Sequence, residues 1–129
     1  MIVSLHVATG AAIGALAGSR RRALLLGPPA HLLGDRIPHQ DIASRRFEIA
    51  SGLACLSLLV ARRGPFDPAT LGAVAASAPD LEHIVPGLRP GGRKLFHGRH
   101  GWHRSGALPA SVQLVVAGAI VGFLLGPRR

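Results

Sequence analysis

Residues 2–18 carry no formal charge and stop at Arg20-Arg21-Arg22, and residues 107–125 repeat the pattern before Gly126-Pro127-Arg128-Arg129. Apolar residues grouped in uncharged blocks, rather than alternating singly with polar ones, have to be buried as whole segments. A segment buried on all sides satisfies its own peptide groups most simply as a helix. Composition agrees with that reading. Apolar residues make up 48% of the chain, but there is no Tyr, one Trp and four Phe, so the β-branched and aromatic supply for a sheet is thin. The length of 129 residues is that of one domain.

Between the two outer blocks lie shorter ones. Residues 23–34 form an apolar stretch broken by Gly27-Pro28-Pro29, with a helix expected to begin near Pro28 and to carry His31. Ser44 can cap a third helix over residues 45–61, stopped by Arg62-Arg63-Gly64-Pro65. Asp67-Pro68 suits the cap and first turn of a fourth, residues 69–78, and Ser77-Ala-Pro-Asp80 reads as a capping box opening a short helix that ends at Pro86-Gly87. Residues 87–106 turn to Gly, Arg and His and read as a long loop. The expected fold class is therefore all-α: a small integral membrane helical bundle of about five short helices with a His-rich loop, and residues 1–129 as a single membrane-embedded metal-binding domain. The basic run follows the first apolar block instead of preceding it, which is the reverse of a secretory signal. Cys55, alone in an apolar run, provides no disulfide framework.

Every histidine but His6 falls into three clusters: His31-Leu-Leu-Gly-Asp35-Arg-Ile-Pro38-His39, Asp80-Leu-Glu82-His83, and His97-Gly-Arg-His100-Gly-Trp-His103. Imidazole and carboxylate together are the ligands of zinc and similar divalent ions, and several must converge from different elements. If each of the five stretches crosses a bilayer once, all three clusters and His6 reach the same face. The cations divide almost evenly between the two faces, so the positive-inside rule leaves the orientation open.

His31 and Asp35 are four apart and share a helical face, and Pro38 breaks the helix so that His39 and Asp41 can turn back towards it. The competing reading pairs Asp35 and Asp41 with Arg36 or Arg45. Asp80 and His83 are three apart and again share a face, although a capping role would account for Asp80 without a metal. Glu82 points away from Asp80, which suits a group that orients a ligand or accepts a proton. The glycines around His100 and His103 suit a loop that presents Arg99, Trp102 and Arg104 to an anion. His6, in an otherwise apolar helix, is either functional or a hydrogen-bonded core residue.

The His31 to His39 stretch resembles the zinc-binding signature of the zinc-dependent phospholipase C and P1 nuclease superfamily. Pro79-Asp80-Leu-Glu82-His83 followed by Gly98-Arg-His100-Gly-Trp-His103-Arg-Ser105 looks like the small membrane-bound metal-dependent hydrolases, including the LexA-binding inner-membrane hydrolase family. Glu82 stands where that family has a second Asp, and the last motif departs from the family's spacing. The resemblance implies a helical fold in an inner or plasma membrane and metal-dependent hydrolysis.

Together these readings lead to the expectation of a membrane-bound hydrolase acting on a phosphoester or related ester, lipid esters included, with one or two Zn²⁺ ions (Mn²⁺ or Fe²⁺ as alternatives). The expected metal ligands are His31, Asp35, His39, Asp80, His83, His100 and His103. Asp41 and Glu82 are expected as proton acceptors or orienting groups, and Arg99 and Arg104 as phosphate clamps. The net charge of +9, with fourteen of fifteen cations Arg, fits membrane lipids and a phosphate-bearing substrate as partners. An oligomer would complete the packing of the short helices. Two other classes remain open: a non-catalytic metal-handling membrane protein, and a basic helical domain on nucleic acid, for which no specific signature is present.

Overall fold

The computed structural model describes residues 1–97 and 104–127 and is all-α over them. Five longer helices are α1 (Val3–Ala17), α2 (Arg20–Asp35), α3 (Arg45–Arg63), α4 (Pro68–Ser77) and α6 (Ala110–Leu125), with a single turn α5 (Leu81–Ile84) and three 3₁₀ turns between α4 and α6. α1 is the central element, packed against α2, α3, α4 and α6. Its uncharged block is buried on several sides, from Ser4 through Gly14.

Small residues set the tightest contact. Gly10 and Gly14 of α1 face α4, where a Cβ on Gly10 would stand 2.5 Å from the Gly72 carbonyl oxygen and one on Gly14 would overlap the Pro68 carbonyl. Helices with glycines four apart approach closely through van der Waals packing of their backbones. The approach also draws His6, one turn before Gly10, towards the end of α4.

The helix boundaries follow local chemistry. Gly18, with φ of 63°, closes α1 in the left-handed region and returns its N–H to the Gly14 carbonyl. Ser44 Oγ accepts the Phe47 N–H at 3.3 Å, and Asp67 Oδ1 accepts the Ala69 N–H at 2.9 Å, so both expected caps are present. The Ser77 capping box is not. Ser77 Oγ donates back to the Ala73 carbonyl at 2.9 Å, α4 runs on into the 3₁₀ turn Ala78–Asp80, and Asp80 caps nothing. Nor does α2 begin at Pro28; it starts at Arg20 and runs through both prolines, which bring no N–H to the carbonyls one turn before them.

No helix among the described residues is long and apolar enough to cross a membrane, so the five crossings expected from the sequence are not seen. The uncharged block 107–125 falls short because Leu108 is held in extended pairing: its N–H goes to the Pro38 carbonyl at 3.3 Å and its carbonyl accepts the Gln40 N–H at 2.9 Å. Pro109 then starts α6 with 16 residues left. The same pairing continues with His39 N–H to the Arg104 carbonyl at 3.1 Å and Gly106 N–H to the His39 carbonyl at 2.8 Å. Buried Gln113 locks this corner, accepting the Ile2 N–H at 3.1 Å and donating to the Gln40 carbonyl at 2.8 Å.

Candidate metal centre

Close packing of α1, α2 and α4 brings the start of α1, the end of α2 and the turn after α4 to one point, and His97 reaches it from the following loop. His31 Nε2 and His97 Nε2 form a pair there, and Asp35 Oδ2 and Asp80 Oδ1 each approach both nitrogens. The two imidazole nitrogens are 3.1 Å apart. Asp35 Oδ2 lies 3.4 Å from His31 and 3.2 Å from His97, and Asp80 Oδ1 lies 3.8 Å and 3.5 Å from the same atoms. Ligands ~2.0–2.1 Å from a tetrahedral ion are ~3.3–3.4 Å from each other. The separations bracket that edge length, tightest among His31, His97 and Asp35 and widest at Asp80.

Hydrogen bonds on the far side of each ring fix its tautomer. His31 Nδ1 donates to the Ala76 carbonyl at 2.8 Å, so Nε2 carries the lone pair. His97 Nδ1 donates to Glu82 Oε1 at 2.6 Å. Glu82 is itself buried, 2% exposed, and accepts the backbone N–H groups of Leu95, Phe96 and His97 at 2.7, 3.1 and 2.7 Å. Burial alone would raise its pKa; these donors outweigh it and hold the carboxyl at about 2, a fixed carboxylate at neutral pH. Two lone pairs 3.1 Å apart repel each other unless a proton or a cation lies between them. A carboxylate behind a ligand imidazole is the arrangement that orients metal-binding histidines.

Asp80 Oδ2 and His6 Nδ1 have no hydrogen-bond partner among the described residues. Burial raises the pKa of Asp80, against the attraction of His31 and His97, and the opposite balance holds at His97, where burial is overcome by its bonds to Asp35 and Glu82 and the pKa rises. His6 stacks on His31 with ring centroids 3.7 Å apart and donates from Nε2 to Asp35 Oδ1 at 2.9 Å. Three sets could hold a metal ion: His6 with His31 and Asp80, His31 with Asp35 and His97, and Asp80 with His83 and His97.

The remaining predicted residues surround this centre. His39 is buried with Nδ1 donating to the Ile37 carbonyl at 2.6 Å; its Nε2 faces Asp41 Oδ1 at 3.1 Å and the Met1 amino group, which also meets Asp35 Oδ1. Asp35 therefore turns one oxygen to His31 and His97 and the other to a cationic nitrogen beside His39. His83 packs edge-on against His97, and its Nδ1 accepts from Lys94 Nζ at 3.1 Å. Burial first, then the nearby His97 and Lys94, lowers its pKa to about 4, so the ring is neutral at pH 7. Arg104 is exposed and joins the site through its backbone, donating its N–H to the Asp35 carbonyl at 3.1 Å. Arg99, His100 and His103 lie outside the described residues. His6 and His97 were not among the sequence-derived ligands; the signals that could have found them were an ionisable side chain inside an uncharged block and the first imidazole of the His-rich loop.

No protein-family model matches the chain, and neither a curated protein nor a solved structure matches it.

Proposed function

We propose that the protein is a membrane-associated, metal-dependent hydrolase of phosphoesters or related esters, with Zn²⁺ as the ion that best suits its centre. The observation that carries this reading is the spacing of His31, His97 and Asp35, with ligand atoms 3.1–3.4 Å apart and the far ring nitrogens held by the Ala76 carbonyl and Glu82. Two imidazoles and one carboxylate with a fourth position left open suit a catalytic zinc. An ion held there would act as a Lewis acid on a phosphoryl or carbonyl oxygen and would lower the pKa of water.

A catalytic zinc keeps an open position, whereas four protein ligands close the shell. His31, His97 and Asp35 are the tight three, and Asp80 stands furthest off, with one oxygen lacking a partner among the described residues and a carboxyl whose pKa burial raises. On this reading Asp80 stands on the open side and would accept a proton from the attacking water. Glu82 holds His97 in orientation. If Asp80 instead completes a closed shell, the protein stores or passes on an ion, and that is the second reading.

The sequence resemblance to inner-membrane hydrolases supports the same activity and an inner- or plasma-membrane location. A further support is the outward display of large apolar side chains, with Leu16 88%, Phe123 85%, Leu25 74% and Val115 72% exposed.

Metal content and turnover of bis-p-nitrophenyl phosphate, measured on wild type, Asp35→Ala and Asp80→Asn, test the reading. Wild type is expected to carry zinc and to turn over; Asp35→Ala to lose both; Asp80→Asn to keep zinc while its kcat falls at least a hundredfold. Zinc lost from Asp80→Asn would favour the storage reading, and no bound metal in wild type would end both.

A further inference from the structure

Two cavities open beside the centre and share a wall. The first, about 470 Å³, is polar and is lined by Asp41, Arg45, Glu48, Asp80, His83 and Lys94 along with a few apolar residues. The second, about 220 Å³, is an apolar groove between α3 and α4 over the start of α1, with Val7, Leu53, Leu56 and Val74 among its walls. Val3, Ile49, Asp80 and Ile84 line both. A ligand in the first cavity therefore touches the metal centre through Asp80 and can extend directly into the second.

Charges in the polar cavity are distributed unevenly in their availability. Asp80 faces His31 and His97, Asp41 leans on His39 at 3.1 Å, and Glu48 accepts the Val3 backbone N–H. The two cations are gathered on one residue: Arg45 Nη2 donates to the His83 carbonyl at 2.9 Å, and Lys94 Nζ donates to the His83 ring at 3.1 Å. Each has further N–H donors to offer. A guanidinium and an ammonium held together next to a cation centre make a receptor for a phosphoryl group.

We propose that the substrate is an amphiphile: a phosphoester whose anionic head binds between Arg45 and Lys94 beside the metal centre and whose alkyl chain lies in the groove between α3 and α4. This assignment deepens the hydrolase reading and rests on it for the chemistry, but binding alone can decide it. Continuity of the two cavities selects one ligand that carries both characters over two separate ligands. Arg45 and Lys94 are the residues that bind the head.

The test uses the purified, zinc-loaded full chain and titrates it calorimetrically with octylphosphonate, methylphosphonate and octyltrimethylammonium, each below its micelle concentration. Burying methylenes gains at most about fourfold in affinity per group. Octylphosphonate is expected to bind at least thirtyfold more tightly than methylphosphonate, and Val74→Trp, which fills the groove, is expected to reduce that ratio to below about fivefold. Arg45→Gln combined with Lys94→Gln is expected to weaken both phosphonates at least tenfold. Equal affinity for the two phosphonates in wild type would overturn the inference, as would octyltrimethylammonium binding as tightly as octylphosphonate. An unchanged ratio in Val74→Trp would do the same. Zinc retained with these failures leaves the metal centre standing, while a chain that takes up no zinc on loading yet binds octylphosphonate selectively removes the hydrolase reading and keeps the amphiphile site.

Discussion

Asp35 is the residue on which the centre turns, because its two oxygens serve two groups of partners: His31 and His97 on one side, His6 and the amino group beside His39 on the other. Glu82 is the opposite kind of residue, reaching the centre only through His97. The four hydrogen bonds of its carboxylate are all to residues 95–97, so it both folds that segment and fixes the imidazole. Glu82→Gln keeps the shape but gives up the carboxylate behind His97. Loss of such a partner costs a metal centre 10–100-fold in affinity. Competition of the protein with a chelating dye should register a zinc affinity lower by about that factor, with helical circular dichroism retained; an unchanged affinity would remove Glu82 from the centre. The residue scale is also where the sequence was most and least legible. His31 and Asp35 could be paired because helical spacing forces them onto one face. Which histidine of the His97 to His103 cluster joins them could not be read, since that depends on Glu82 capturing three consecutive backbone N–H groups, and no periodicity encodes such a bond.

At the scale of elements, the contact of α1 with α4 decides whether the ligands meet at all. Five helical segments could be read from uncharged blocks, caps at Ser44 and Asp67, and arginine stops. What could not be read was the depth of the Gly10, Gly14 and Gly72 contact, which depends on a partner helix far away in sequence, or the pairing of Leu108 with residues 38–40 that shortens α6. The Ser77 motif misled because a serine at the end of a helix can bond back to the preceding turn as easily as forward. Glycines in two environments give a direct comparison. Gly10→Ala must displace the Gly72 backbone, whereas Gly118, in the middle of α6, has nothing within 4 Å of an added Cβ. Gly10→Ala is expected to destabilise by about 1–3 kcal/mol and to weaken zinc binding with it, since His6 and Asp80 part when α1 and α4 separate. Gly118→Ala should stabilise by about 0.5–1 kcal/mol without touching the centre. Denaturant midpoints with and without zinc measure both. Equal effects from the two substitutions would mean that the glycine contact does not set the helix approach.

For the whole molecule, the question is what surrounds the apolar exterior. α1, α3 and α6, at 15, 19 and 16 residues, are about 22, 28 and 24 Å long against a hydrocarbon core of ~30 Å. α3, the longest, carries Arg45, Arg46 and Glu48 at its start and Arg62 and Arg63 at its end. A bilayer accommodates short helices by thinning, or by letting arginines reach up to its surface, at a modest cost per ångström. Arg20, Arg21 and Arg22 open α2 at the end opposite the metal centre, and Arg63 joins Asp67 and the Leu124 carbonyl at 2.9 and 3.0 Å at that same end. Exposed Leu16, Leu25, Val115 and Phe123 lie on three different helices, α1, α2 and α6. On the proposed membrane reading the molecule is expected to sediment with membranes after expression, to stay in the pellet through an alkaline carbonate wash, and to come out only with detergent. Recovery of folded, zinc-binding protein in the supernatant after that wash would overturn the membrane reading. It would leave the metal centre intact, because none of the bonds that build it depend on lipid.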